Sequence, residues 1–108
     1  VLTGAGIFFP EDKPTIVDRC IAMMIKLIDP HRFSDAKTMC QRIQESSVDW
    51  TIVRTNIQHD RCSQKPYKTG MLGMPGATSG INRKLLAQFI VDCLEKNLFI
   101  NQAPVVWG

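Results

Sequence analysis

Phe33 and Lys37, in the run Phe33-Ser34-Asp35-Ala36-Lys37, lie four residues apart and share a face if the segment is helical. A tyrosine at the first position could donate a proton, its acidity raised by the nearby cation. Phenylalanine cannot, which leaves a lysine able to hold a hydroxyl or bias the local potential. A plainer alternative stands beside this: Phe33 packs and Lys37 is solvated, as most lysines are. A second group, Arg54, Thr55, Asn56 and Ile57, follows the strand-like run Val48-Asp49-Trp50-Thr51-Ile52-Val53. Ligands of an open parallel sheet bind beyond the carboxyl ends of its strands. Arg54 would there be an ion-pair partner or a ligand contact, and Thr55 and Asn56 would supply donors and acceptors. A third group is Thr3-Gly4-Ala5, a hydroxyl followed by two small residues that let a flat ring approach. His59 and Asp60 lie in a polar stretch and His31 near a helix start; either histidine could move a proton, but neither has a defined partner. There is no G-x-G-x-x-G run and no nucleophile elbow.

The elements that must position these groups can be read from periodicity. Val1 to Thr3 reads as the end of a strand, with a tight turn at Gly4 and Gly6. A helix is expected to start near Asp12 or Lys13, with Pro14 in its first turn. From Thr15 to Ile28 the apolar residues form two helical stripes, Ile16, Cys20, Met23, Leu27 and Val17, Ile21, Met24, Ile28. That face is wider than one-sided packing needs. It is read either as a helix wedged between sheet and neighbour or as a subunit interface. Asp29-Pro30 caps a second helix, His31 to Glu45. Asp49 to Arg54 reads as a strand. Thr55 to Pro66 is a polar loop, Tyr67 to Leu72 a short strand, and Gly73 to Gly80 a glycine-rich turn. Asn82 caps a third helix that runs to about Asn97, and Pro104 to Trp107 closes the chain as a strand. This alternation predicts an α/β sheet with crossovers.

The 108 residues suffice for one small domain or part of a larger one, and the 44% apolar content is that of a globular chain. No apolar stretch approaches the roughly 20 residues of a membrane span. Cys20, Cys40, Cys62 and Cys93 are widely spaced, without zinc-like spacing to His31 or His59, so no metal site is expected. Cys20, Cys40 and Cys93 fall in apolar helical patterns as small hydrophobes. Free cysteines point to a reducing, cytoplasmic compartment. The net charge of +3 is uneven. Arg54, Arg61, Lys65, Lys68, Arg83 and Lys84 face the single acid Asp60 between positions 54 and 84. Such a run is either a solvated face or a surface for a phosphate-bearing ligand. Nucleic acid is disfavoured, because Tyr67 is the only interleaved aromatic.

The run Glu45-Ser46-Ser47-Val48-Asp49-Trp50-Thr51-Ile52-Val53-Arg54 resembles the E-S-G-hydrophobic-D-W/Y-T-I-V-R-P signature of the NmrA-like atypical short-chain dehydrogenase/reductases. That group includes the biliverdin and flavin reductase branch. Val1 to Gly6 resembles its fifth strand and following loop. Ile81-Asn82-Arg83-Lys84-Leu85-Leu86-Ala87-Gln88-Phe89 is similar to its late helix pattern I-S-R-x-D-V-A-x-F. The sequence departs from the family at Phe33 for tyrosine, Thr55 for proline and Leu85 for an acid.

The resemblance implies an α/β fold: the C-terminal part of a Rossmann-type, doubly wound parallel sheet. Residues 1–108 would be the substrate-side half of a single NAD(P)-binding domain, lacking the N-terminal pyrophosphate-binding half. It implies NAD(P) as cofactor, NADP ahead of NAD. Thr3, Gly4 and Ala5 would line the nicotinamide, and Arg54, Thr55, Asn56 and Ile57 would flank it. Lys37 would reach the nicotinamide ribose. Thr3 and Lys37 would carry catalysis, with Phe33 in place of the tyrosine. The expected reaction is reduction of a small flavin-, quinone- or tetrapyrrole-like molecule, protonated from solvent or another donor. The alternative is a dinucleotide-sensing regulator or interaction protein of the same fold. The expected partner is a small-molecule substrate, not a membrane or nucleic acid; a homo-oligomer, or pairing with the missing half, stays open.

Overall fold

The computed structural model describes residues 7–62, 64–77 and 79–108, together with the backbone of 2–4. The first strand, β1 (Leu2–Gly4), leads through a loop to α1 (Ile16–Ile28) and α2 (Pro30–Glu45). Then come β2 (Val53–Thr55), β3 (Gln58–His59), β4 (Lys68–Gly70), β5 (Ile81–Asn82), α3 (Arg83–Lys96) and β6 (Val105–Trp107). The main sheet has the order β1-β2-β6-β4. β1, β2 and β6 run parallel, and β4 joins the far edge antiparallel to β6. The parallel register sets Thr3 beside Arg54 and Gly4 beside Thr55.

The helix boundaries follow from capping. α1 begins after Thr15, later than the Asp12–Lys13 start expected from sequence. The Thr15 hydroxyl accepts from the Asp18 N–H at 3.2 Å, and the Asp18 carboxylate accepts from the Thr15 N–H at 2.8 Å. This reciprocal box satisfies two donors that a helix start leaves open. Asp29 serves both neighbouring helices: its N–H closes α1 on the Ile25 carbonyl, and its side chain accepts from Arg32 N–H at 3.1 Å to open α2. Asn82 caps α3 through Lys84 and Leu85 N–H, at 2.8 and 3.3 Å. That helix ends at Asn97, whose φ of 52° is the left-handed conformation asparagine tolerates.

Alternation along β2 separates two packed layers. Ile52 and Ala103 lie under α2 with Cys40, Ile7 and Phe9, and Phe33, Ala36 and Ile43 pack against them. Val53 and Val106 lie under α3 with Leu86 and Phe89. Helices therefore cover both faces of a mostly parallel sheet. Tyr67 and Phe89 meet edge to face at 5.1 Å in the α3 layer.

Three further expectations are corrected. β2 is shorter than the Asp49–Arg54 strand, because pairing before Val53 is reduced to one bridge between Thr51 and Gln102. The Thr55–Pro66 segment is not all loop: β3 pairs in parallel with β5, a two-residue ladder too short to show alternation. Gly80 makes that ladder possible, since a Cβ there would stand 2.6 Å from the Ile57 carbonyl oxygen. Finally, α1 is not wedged. It packs on α2 with only Asp18 and Ala22 buried, leaving Ile16 and Leu27 81% and 75% exposed and Cys20 on the surface. No helix among the described residues is long and apolar enough to cross a membrane.

Candidate functional site

Arg54 organises the carboxyl end of the sheet from inside. It is fully buried, as is the Asp12 carboxylate it meets. Its guanidinium donates to both Asp12 carboxylate oxygens at 2.5 and 2.9 Å, the two-pronged geometry that suits arginine. Its remaining donors go to the Ile7 carbonyl at 3.0 Å and the Ala103 carbonyl at 2.6 and 2.9 Å. The Phe9 ring lies 4.7 Å from the guanidinium carbon. Asp12 in turn accepts from the Phe9 and Leu72 N–H groups, at 2.8 and 3.2 Å. One ion pair thus ties the loop after β1 to β2, to the entry of β6 and to the turn after β4. Of the two roles open to Arg54 in the sequence, the ion pair is the one observed. As a direct cofactor contact it is corrected, because its donors are spent within the protein.

The loop held by this pair walls a cleft of about 520 Å³ between α1 and α2. Ile7, Phe8, Phe9 and Pro10 line one side, and Phe33 and Lys37 line the α2 side together with buried Cys40. Lys37 and Phe33 therefore meet the loop that follows β1, although 26 residues separate Phe33 from Ile7 (33 − 7). Among the described residues, Arg19, Lys26 and Lys37 are the charged ones of the lining, and none is an acid. Phe33 is half-buried against the α2-side core, and Lys37 is exposed. The Cys40 thiol is pushed up from its ordinary value, chiefly by burial, against the opposing pull of Arg54. It is an apolar wall, not an acid.

At the sheet end, Gly4 and Thr55 lie side by side by register. Ala5 and the side chain of Thr3 lie outside the described residues. Thr55 is buried. Asn56 is engaged structurally: its side-chain amide donates to the Ala77 carbonyl at 3.0 Å and pins the glycine-rich turn. Ile57 is 76% exposed at the mouth of a separate groove. His59 sits in β3, where its Nδ1 accepts from the Arg61 N–H at 3.3 Å, and His31 is exposed at the start of α2.

Sequence reasoning missed Asp12, the acid that Arg54 requires. A lone arginine inside a β-branched strand was the available signal, since a buried cation needs a partner. It also missed Asp92, which accepts from the Tyr67 hydroxyl at 2.6 Å. That bond, ahead of burial, pushes Tyr67 up to about 12. The same bond, with Gln88 second, holds Asp92 below the ordinary carboxylate range. The pair locks β4 to α3 and stands apart from the cleft.

The donor chemistry of the cleft fits an anionic nucleotide. Lys37 can meet ribose hydroxyls, Arg19 and Lys26 add positive potential, and the Phe8, Phe9 and Met23 side chains offer apolar contact to a ring. Comparison with known proteins points the same way. A family model described as NAD(P)H-binding matches residues 10–97, a span that holds α1, α2, α3 and β2. No curated protein and no solved structure matches the chain significantly. With the family model covering most of its length, the chain belongs to the NAD(P)H-binding family.

Proposed function

We propose that the protein is an NAD(P)-dependent reductase of the atypical short-chain dehydrogenase type, NmrA-like, built on the C-terminal part of a doubly wound sheet. The observation that carries this is the cleft that joins Lys37, Phe33 and the loop after β1, lined among the described residues by cations and no carboxylate. Lys37 holds the nicotinamide ribose, and Gly4 with Thr55 presents the sheet end to the ring. The reduced cofactor, NADPH in preference to NADH, would supply the hydride when bound and leave as its oxidised form. Phe33 and the Ile7–Pro10 loop keep water from the apolar wall. Among the described residues the cleft lining holds no carboxylate, imidazole or phenol, so the proton would come from solvent or another donor. That suits a flavin-, quinone- or tetrapyrrole-like acceptor, in which charge spreads over a conjugated system, better than a simple ketone. The setting is cytoplasmic.

Phe33 favours a second reading, a non-catalytic dinucleotide sensor of the same fold. NADPH oxidation followed at 340 nm with a panel of conjugated acceptors separates the two. Turnover supports the reductase; tight NADPH binding without turnover on any acceptor supports the sensor.

A further inference from the structure

A second concavity, of about 490 Å³, opens at the carboxyl ends of β2 and β6. Trp107 and Ile57 give it an apolar floor and lip, and Arg61, Lys65 and Lys68 give it three cationic side chains. Among the described residues no aspartate or glutamate side chain lines it. The nearest acid in sequence, Asp60, is engaged at 2.6 Å by Arg83 outside the groove. The cationic wall is held in place: the Arg61 carbonyl accepts from the Asn82 side-chain amide and its N–H donates to His59. The floor is held as well, since Gly108 N–H donates to the Gly80 carbonyl at 3.1 Å and Asn82 N–H to the Gly108 carbonyl at 2.8 Å. A groove with a flat apolar base and a one-signed rim recognises a flat molecule with an acidic substituent.

The position of the groove selects which molecule. In the order β1-β2-β6-β4, the Lys37 cleft adjoins the loop after β1, and the basic groove lies beyond β2 on the β6 and β4 side. Ile57, two residues past the end of β2, stands at its lip. We propose that this groove holds the phosphate or carboxylate substituent of the hydride acceptor, with Arg61 and Lys68 as its principal contacts. The proposal rests on the reductase reading for the word acceptor; the anion site itself does not.

Flavin mononucleotide and riboflavin carry the same ring and differ by a phosphate, so they are the probes. Their dissociation constants are read from flavin fluorescence quenching on the intact protein without cofactor, and the NADPH and NADH constants from a separate titration. The expected result is binding of flavin mononucleotide about tenfold tighter than riboflavin, the scale of one charge-assisted contact. Arg61→Glu with Lys68→Glu is expected to erase that difference and leave riboflavin binding and the thermal midpoint unchanged. Equal constants for the two flavins, or no binding of flavin mononucleotide, overturn the proposal. So does a double variant that loses NADPH but not NADH, which would assign the groove to the cofactor's 2′-phosphate. A preserved flavin difference in a protein that binds neither NADPH nor NADH removes the reductase reading and leaves the anion site standing.

Discussion

Replacing Arg54 with methionine tests the buried ion pair that shapes the cleft. The substitution keeps an apolar stem of similar length and deletes the guanidinium. Asp12 would then keep its Phe9 and Leu72 N–H donors but lose its counter-charge, with its side chain fully buried. The Ile7 and Ala103 carbonyls would also lose their side-chain donors. Removing one member of a buried pair costs about 3–5 kcal/mol, because a charge is stranded. Against a total stability of about 5–15 kcal/mol, that is a large fraction. At a urea m-value of about 2 kcal/mol/M, a loss of about 4 kcal/mol moves the midpoint down by about 2 M. Asp12→Asn is expected to lose a similar amount by stranding the cation. The Arg54→Met/Asp12→Asn double variant should lose less than the sum of the single losses, since neither charge is left alone. Circular dichroism in urea gives all three values. An Arg54→Met midpoint within about 0.3 M of the unmodified protein, the span of a surface substitution, would refute the claim that this pair is desolvated and structural.

Phe33→Tyr places a phenol four residues before Lys37, and turnover with carbonyl acceptors that need a proton on oxygen should rise about tenfold or more, with a new ionisation in the pH–rate profile; no change in either would detach position 33 from the reacting centre. The Tyr67–Asp92 bond predicts two pH limits. Tyr67 is raised in the folded state, so its contribution is complete below pH 10, the ordinary tyrosine value, and is lost as pH climbs towards about 12. Asp92 is lowered, so its contribution is present above the ordinary carboxylate value and falls away in more acidic solution. Thermal midpoints of Tyr67→Phe and the parent protein should therefore converge at both extremes and differ most near neutrality. Gly80→Ala forces a Cβ to 2.6 Å from the Ile57 carbonyl and should open the β3–β5 ladder, read as faster amide exchange at Ile81 with α3 exchange unchanged.

The parts of the fold that were legible in the sequence rest on local chemistry. Asp29-Pro30 and Asn82 announce helix starts because capping needs only a side chain and two or three neighbours. The β-branched run ending at Arg54 announces a buried strand for the same reason. The parts that were not legible rest on distant chemistry. Nothing local links Asp12 to Arg54, 42 residues on, so the sequence left Arg54 open between ion pair and ligand contact and read Asp12 only as a helix start. The β3–β5 ladder depends on Gly80 meeting Ile57 across the chain, which periodicity cannot report. The breadth of the α1 apolar face was legible, but whether anything covers it was not, because periodicity gives a face and not its neighbour. For the candidate site, the Phe33–Lys37 spacing was visible from the start, and its meeting with the Ile7–Pro10 loop came only with the fold.

The most direct test of the central claim is the NADPH dissociation constant of the protein and of Lys37→Met, measured by titration calorimetry. Loss of one ammonium contact at the ribose should weaken NADPH binding about tenfold, with the unfolding midpoint unchanged, since Lys37 is exposed. Equal constants for the two proteins would contradict the assignment of the Lys37 cleft to the cofactor.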